Sequence, residues 1–159
     1  YFGAKAIATD LLPSRIEKAV NLGAEAAFDA RDPDLSAKIH ALTDGMGVDV
    51  TLLAVPSEKA FFQALDCTRK GGKILFFAEF PDELEIPGNP NILYRREIDL
   101  MGSYSSSYRL QNLSADIVFN RRIDVQALIS DRFPLQNLSQ AVEQAIKPTP
   151  ETYKILIYP

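Results

Sequence analysis

Short apolar runs alternate along the chain with segments of helical periodicity. The runs occupy residues 4–9, 26–28, 49–54, 73–78 and 98–102, and in most segments between them apolar residues recur three or four positions apart. After its first lysine, the run KILFFA at residues 73–78 has no polar face, which is typical of a strand covered by helices on both sides. Strands separated by helices predict an α/β fold with a doubly wound parallel sheet.

Caps and turn residues indicate where these helices begin and end. Gly23 follows the first helical segment and supplies its stop. Asp32, which precedes a proline, predicts the start of a second helix, and Ser57 predicts the cap of a third. We expect the third helix to end at the pair Gly71-Gly72, directly before the next strand.

The pattern changes after residue 78. The stretch PDELEIPGNPN at residues 81–91 holds three prolines and three acidic residues and predicts a surface loop. A helix with apolar positions at residues 110, 113, 117 and 118 follows the last run. The tail then predicts a short strand at residues 127–133, a helix at 138–146 and a strand at 153–158.

Composition and charge exclude several classes of partner. The 159 residues carry a net charge of −4, which argues against a nucleic-acid or anionic-membrane surface. No apolar run approaches the roughly 20 residues of a membrane span. With Cys67 as the single cysteine, no disulfide can form within the chain, and we expect a reducing, cytoplasmic location. One cysteine and one histidine, His40 on a predicted helix surface, cannot build a Cys/His zinc cluster.

Asp10 ends the first predicted strand, at the edge where open α/β sheets bind ligands. A carboxylate there can accept hydrogen bonds from both ribose hydroxyls of an adenosine and would repel a 2′-phosphate, which selects NAD over NADP. The alternative is an acid that faces solvent or caps the next turn. Arg15, in the first turn of the following helix, either lies beside the adenosine or belongs to a solvated helix face.

The other candidates carry less chemistry. The turns at residues 54–57 and 78–80 follow two further strands on the same edge, where they either line a nucleotide cleft or are ordinary loops. Cys67 lies in a predicted helix with no base nearby, and we interpret it as a packing residue. The sequence GSYSSSY at residues 102–108 predicts a strand-to-helix cap. No acid–base pair or nucleophile is evident.

Five segments together resemble a known family. AKAIATDLLPSRIEKAVNLGA, GVDVTLLAVPS, RKGGKILFFAEF, NILYRREIDLMGSYSSS and the tail from IDVQALISDRF to YKILIYP resemble, in that order, the C-terminal half of zinc-dependent medium-chain alcohol dehydrogenases of the sorbitol and threonine dehydrogenase branch. The resemblance implies that residues 1–123 form a Rossmann-type domain that lacks its first strand and glycine-rich turn. It also implies that residues 124–159 are a segment that returns to a catalytic domain. That domain, with the zinc ligands, would lie outside this chain, whose opening YFG would be the tail of a helix.

The resemblance also implies roles for individual residues. Asp10 would bind the adenosine ribose with Arg15 beside it, while Phe77, Ser103 and Ser105 would hold the nicotinamide carboxamide through backbone groups. The remaining implied positions are the floor and rim of the adenosine site and a basic position near the pyrophosphate: Ala54, Val55, Ser57 and Lys154. Pro56 and Glu79 depart from the family pattern, in which a glycine and a small or apolar residue are usual.

The resemblance implies hydride transfer between NAD and a secondary alcohol of the polyol or amino-alcohol type. Alternatives are a non-enzymatic NAD-binding or assembly module, and a methyltransferase, against which the tail after Asp124 argues. In the family, the strand corresponding to residues from Ile98 to Ser103 pairs with its own copy across a two-fold axis, which implies a homodimer. Without the phosphate-binding turn, the chain alone is expected to bind NAD weakly and to be inactive.

Overall fold

Strands and helices alternate along the chain as the apolar pattern predicts. The computed structural model of the protein describes residues 2–85 and 88–159, so Tyr1 of YFG, and Ile86 and Pro87 of the predicted loop, lie outside the described residues. Within the described ranges the strands are β1 (Ile7–Asp10), β2 (Ala26–Asp29), β3 (Val48–Leu53), β4 (Thr68–Phe76), β5 (Asp99–Gly102), β6 (Ile129–Pro134) and β7 (Lys154–Tyr158). The helices are α1 (Pro13–Asn21), α2 (Leu35–Leu42), α3 (Glu58–Cys67), α4 (Asn91–Arg96), α5 (Tyr108–Phe119) and α6 (Leu138–Ile146).

The chain divides into two compact units. The first combines the residues up to Arg31 with Ser106–Pro159, and the second is Asp32–Ser105. The first unit therefore holds β1, α1, β2 and the elements from α5 to β7, and the second holds the elements from α2 to β5. The domain boundary between residues 123 and 124 stays a prediction.

The strand pairings confirm the parallel α/β fold. In the first unit β1 pairs parallel with β2, and β6 with β7; in the second, β4 lies between β3 and β5, again parallel. The pairings β2–β1 and β3–β4–β5 are those of the doubly wound order 3-2-1-4-5-6 with strand 1 left out. Each unit, taken by itself, thus shows strand pairings that occur in such a sheet.

The core of the second unit lies where α3 and the turn before β5 pack on one face of β3 and β4. Phe61 of α3 stacks on Phe76 of β4 with ring centroids 5.7 Å apart. On β3, however, Val50 is 50% exposed and Leu52 63% exposed, so the described residues do not cover both faces of this strand. The buried cluster consists of Leu53, Phe61, Ala64, Leu65, Ile74 and Ile98.

Strand β4 begins earlier than the sequence suggests. The Gly71-Gly72 pair does not close α3; it lies inside β4, which follows α3 without a loop. Close packing explains why this strand position holds a glycine, since a Cβ on Gly72 would lie 2.5 Å from Cγ2 of Thr68 and 2.8 Å from the Arg69 carbonyl oxygen. Only glycine fits at this point of the strand.

Two helix starts also differ from expectation. Helix α2 begins at Leu35 because Asp32 instead forms a turn, in which its Oδ1 accepts the N–H of Asp34 at 2.9 Å. Helix α4 begins at Asn91, the last residue of the proline-rich stretch, and no helix was predicted here. None of the helices in residues 2–85 and 88–159 is long and apolar enough to cross a membrane.

Candidate functional site

Asp10 is the last residue of β1 and forms the turn into α1. Its Oδ1 accepts the N–H of Leu12 at 3.0 Å, and its Oδ2 lies 3.8 Å from Nη1 of Arg15. Both side chains are only partly covered, with 33% of Asp10 and 39% of Arg15 exposed. The structure therefore brings Asp10 and Arg15 together at the carboxyl end of β1, and Asp10 also caps its own turn.

The Arg15 guanidinium is incompletely satisfied. Its Nε is buried and has no hydrogen-bond partner among the described residues. A buried donor without a partner typically costs about 1–3 kcal/mol. The Asp10–Arg15 pair thus keeps hydrogen-bonding capacity, since a carboxylate has about four acceptor positions and one is used by Leu12.

A second ion pair lies at the carboxyl end of the neighbouring strand. Asp29 ends β2 opposite Asp10, and its Oδ2 lies 2.6 Å from Nη2 of Arg31. The same Nη2 donates to the carbonyl oxygen of Leu11 at 3.0 Å. The bond and charge of Asp29 raise the pKa of Arg31, which stays a cation. Arg31 was not predicted from the sequence, because its contact with Leu11 depends on the pairing of β1 with β2.

In the second unit, three predicted site residues follow the carboxyl ends of neighbouring strands. Ala54 comes after β3, Phe77 after β4 and Ser103 after β5. The N–H of Phe77 donates to Leu53 O at 3.0 Å, and the N–H of Ser103 donates to Phe76 O at 3.1 Å. These hydrogen bonds continue the strand pairing to Phe77 and Ser103, one residue beyond β4 and β5. They align the two backbones at the carboxyl edge of these strands.

The turn after β3 leads directly into the cap of α3. Ser57 Oγ accepts the N–H of Ala60 at 3.3 Å, which confirms the predicted cap. The N–H of Ser57 donates to Val55 O at 3.1 Å, and Val55 and Pro56 are both exposed. The Ser57 hydroxyl thus has a structural task in addition to its implied place at the rim of a site.

Ser105 has an unusual backbone for a residue with a side chain. Its φ is +60°, in the left-handed region. Within the described ranges, its N–H donates to no protein group, and the carbonyl oxygens of Phe77 and Ser103 accept no hydrogen bond. This edge therefore offers two backbone acceptors and one backbone donor. Glu79, which departs from the family pattern, is exposed.

Lys154 is exposed at the start of β7, in the first unit with Asp10 and Arg15. The turn before it packs on α1, where Ser14 Oγ donates to Pro150 O at 3.2 Å and Lys18 Nζ lies 5.7 Å from the ring centroid of Tyr153. Among the ion pairs of the described residues, none involves Lys154.

Other chemically active residues serve the fold. Cys67 is buried at the end of α3, and burial, followed by the charge of Asp66, raises the pKa of its thiol. His40 Nδ1 lies 2.8 Å from Ser36 O within its own helix. In the part of the chain that the structure describes, no three His, Cys, Asp or Glu side chains form a group able to hold a metal ion.

An apolar cavity of about 250 Å³ lies in the second unit. It is lined mainly by Phe61, Phe62, Leu65, Phe76 and Leu93 and contains none of the predicted site residues. A nucleotide needs charged and hydrogen-bonding partners, so we distinguish this cavity from the candidate site.

Comparison with known proteins matches nearly the whole chain. A family described as zinc-binding dehydrogenase matches residues 1–127. Sorbitol dehydrogenase from Bacillus subtilis is 32% identical over 163 aligned residues, which cover 99% of this chain and 44% of that protein. The chain therefore spans less than half the length of this curated relative.

Solved structures share the fold. A zinc-binding dehydrogenase from Clostridium scindens aligns with a TM-score of 0.87 at 21% identity, over 98% of this chain and 43% of that one. A zinc-binding dehydrogenase from Sinorhizobium meliloti, bound to NADP, aligns with a TM-score of 0.83 at 20% identity, over 98% of this chain and 45% of that one.

Proposed function

The chain belongs to the zinc-binding dehydrogenase family, and on this premise we propose that it is the cofactor-binding half of an enzyme that transfers a hydride between NAD and a secondary alcohol. Family membership confirms the resemblance found in the sequence. The observation that carries the cofactor proposal is the Asp10 carboxylate, which is partly exposed at the carboxyl end of a parallel strand. Acids at this position of doubly wound sheets bind the ribose of NAD.

On the adenosine side, Asp10 accepts hydrogen bonds from the ribose hydroxyls. Its Oδ2 lies 3.8 Å from Arg15 Nη1, and Oδ1 keeps one further acceptor position beside the Leu12 N–H. A 2′-phosphate would meet this carboxylate with like charge, so we propose NAD as the cofactor in preference to NADP. Arg15 lies beside the ribose, which its partly exposed guanidinium and its 3.8 Å pairing with Asp10 support.

On the nicotinamide side, the backbone edge of the second unit complements a carboxamide. Such a group has two N–H donors and one carbonyl acceptor. The carbonyl oxygens of Phe77 and Ser103 take the donors, and the N–H of Ser105 takes the acceptor. For the remaining positions we propose only the roles that the resemblance implies: Ala54 and Val55 in the floor near the adenosine ribose, Ser57 at its rim and Lys154 near the pyrophosphate.

The cofactor, when bound, supplies or accepts the hydride. We propose that the residues of this chain bind and orient the cofactor, and we assign none of its described residues as acid, base or metal ligand for the alcohol. The described residues do not fit a zinc ion, and we assign zinc and the alcohol pocket to a catalytic domain outside this chain. We accordingly propose that the 159-residue chain alone is inactive and binds NAD weakly. We place the whole protein in the cytoplasm.

We also propose that the protein is a homodimer joined through β5. Among the described strands, β5 pairs with β4 alone, and Leu100 and Met101 are 40% and 45% exposed. Since the N–H of Ser103 points to β4 and N–H groups alternate along a strand, the N–H of Leu100 points outward. This outer edge is therefore available to a second copy.

Steady-state kinetics of the full-length protein test the proposal. We expect reduction of NAD with sorbitol, other polyols or amino alcohols, and little reduction with primary alcohols of similar size. Binding of NAD without turnover of any alcohol would favour the non-enzymatic module. If the protein neither binds NAD nor oxidises an alcohol, the proposal is wrong.

A further inference from the structure

Arg31 connects the end of β2 to the loop that follows Asp10. Its Nη2 donates to the carbonyl oxygen of Leu11 at 3.0 Å, while its Nε and Nη2 hold the two oxygens of Asp29 at 2.9 and 2.6 Å. The N–H of Arg31 also donates to Asp29 Oδ1 at 2.8 Å. The guanidinium is therefore fixed at three points, and its planar fork suits this bidentate geometry.

The group that Arg31 holds is the same peptide that orients Asp10. The carbonyl of Leu11 and the N–H of Leu12 belong to one planar trans peptide, in which they point in opposite directions. That N–H donates to Asp10 Oδ1 at 3.0 Å. A cationic donor on the carbonyl fixes the plane of the peptide and polarises it, which strengthens the bond at its other end.

We propose that Arg31, anchored by Asp29, is a positioning residue that holds the Asp10 carboxylate in the orientation needed for the ribose of NAD. This inference rests on the proposed function, in which Asp10 binds that ribose. In this inference neither Arg31 nor Asp29 touches the cofactor. Their effect passes through the Leu11–Leu12 peptide to Asp10.

A simpler alternative is that Arg31 only fastens β1 to β2. The structure offers a matched control, because Lys5 and Glu25, which lie just before the same two strands, form an ion pair of 3.0 Å at the opposite end of the β1–β2 pair. If fastening were the whole role, loss of either pair would have the same small effect on the cofactor. If Arg31 positions Asp10, loss of Arg31 alone affects NAD binding.

A double-mutant cycle in the full-length protein tests the inference, with NAD as the probe in calorimetry. We expect Arg31→Met to weaken NAD binding about five- to tenfold, as for the loss of one charge-assisted hydrogen bond, with kcat at saturating NAD unchanged. Asp29→Asn should weaken binding in the same direction, and Lys5→Met should change it less than about twofold. In the Asp10→Ala background, Arg31→Met should have almost no further effect.

Three results overturn the inference. The first is an Arg31→Met protein that folds and binds NAD as wild type does. The second is an equal loss with and without Asp10, which would mean that Arg31 acts independently of it. The third is an unchanged affinity in Asp29→Asn, which also decides the question if Arg31→Met does not fold. A wild-type protein that binds no NAD would instead overturn the proposed function, and this inference with it.

Discussion

Replacing Arg96 with methionine should loosen the junction of α3 and β4. Arg96 Nη1 donates to Leu65 O at 2.6 Å, and Nη2 donates to Thr68 O. Leu65 lies in the last turn of α3, and both carbonyls belong to residues that are at least 95% buried. Arg96→Met keeps much of the aliphatic stem but leaves both oxygens without this donor. At about 1–3 kcal/mol for each orphaned group, reduced because the guanidinium is only half-buried, the expected cost is about 2–4 kcal/mol.

Hydrogen exchange of the full-length protein, measured by mass spectrometry, can detect this loss locally. A cost of about 2–4 kcal/mol predicts a fall of about 30- to 1000-fold in amide protection across α3 and β4. Arg69→Met is the control, because Arg69 forms an exposed pair with Asp49, at 2.6 Å, that should be worth less than about 1 kcal/mol. Unchanged protection in Arg96→Met, or an equal fall in both variants, would refute the reasoning.

Three further variants or probes test other parts of the account. Leu100→Pro removes an outward N–H from β5 and should convert the proposed dimer to monomers in sedimentation, whereas a variant that dimerises as wild type does would exclude this edge. Gly72→Ala should destabilise the second unit by about 1–3 kcal/mol in denaturant unfolding, because its Cβ would lie 2.5 Å from Thr68 Cγ2, and an unchanged midpoint would contradict this. The Cys67 thiol, whose pKa burial raises, should react slowly with iodoacetamide at neutral pH. Rapid labelling of the native protein would contradict the burial. Because the folded state favours the neutral thiol, the contribution of Cys67 to the free energy of unfolding is present below the unfolded pKa of about 8.5 and is lost as the pH rises above that value.

Local signals were enough to predict much of the fold. The helix expected at residues 138–146 has these bounds, and Ser57 caps α3 as its position before an apolar helical pattern suggests. Gly23, with φ of +100°, follows the end of α1 as expected. Each of these features depends on a few neighbouring residues, so one stretch of sequence contains the information.

Features that depend on packing between distant residues were not predicted. Gly72 predicts a helix stop in sequence, but it lies inside β4, where a Cβ would come within 3.1 Å of the Asp49 carbonyl oxygen on the neighbouring β3. The role of Arg31 requires the register that sets Asp10 opposite Asp29, which no local pattern contains. The exposed Val50 looks like a core residue in sequence, because an apolar residue carries no mark of which face is covered.

The central claim is that Asp10 forms part of a site for NAD. Calorimetric titration of the full-length protein with NAD and with NADP, in wild type and Asp10→Asn, tests it most directly. We expect wild type to bind NAD at least about ten times more tightly than NADP, and Asp10→Asn to weaken NAD binding about tenfold while reducing the penalty on NADP. A wild-type protein that binds neither cofactor, or an Asp10→Asn protein with unchanged affinities for both, would contradict the account.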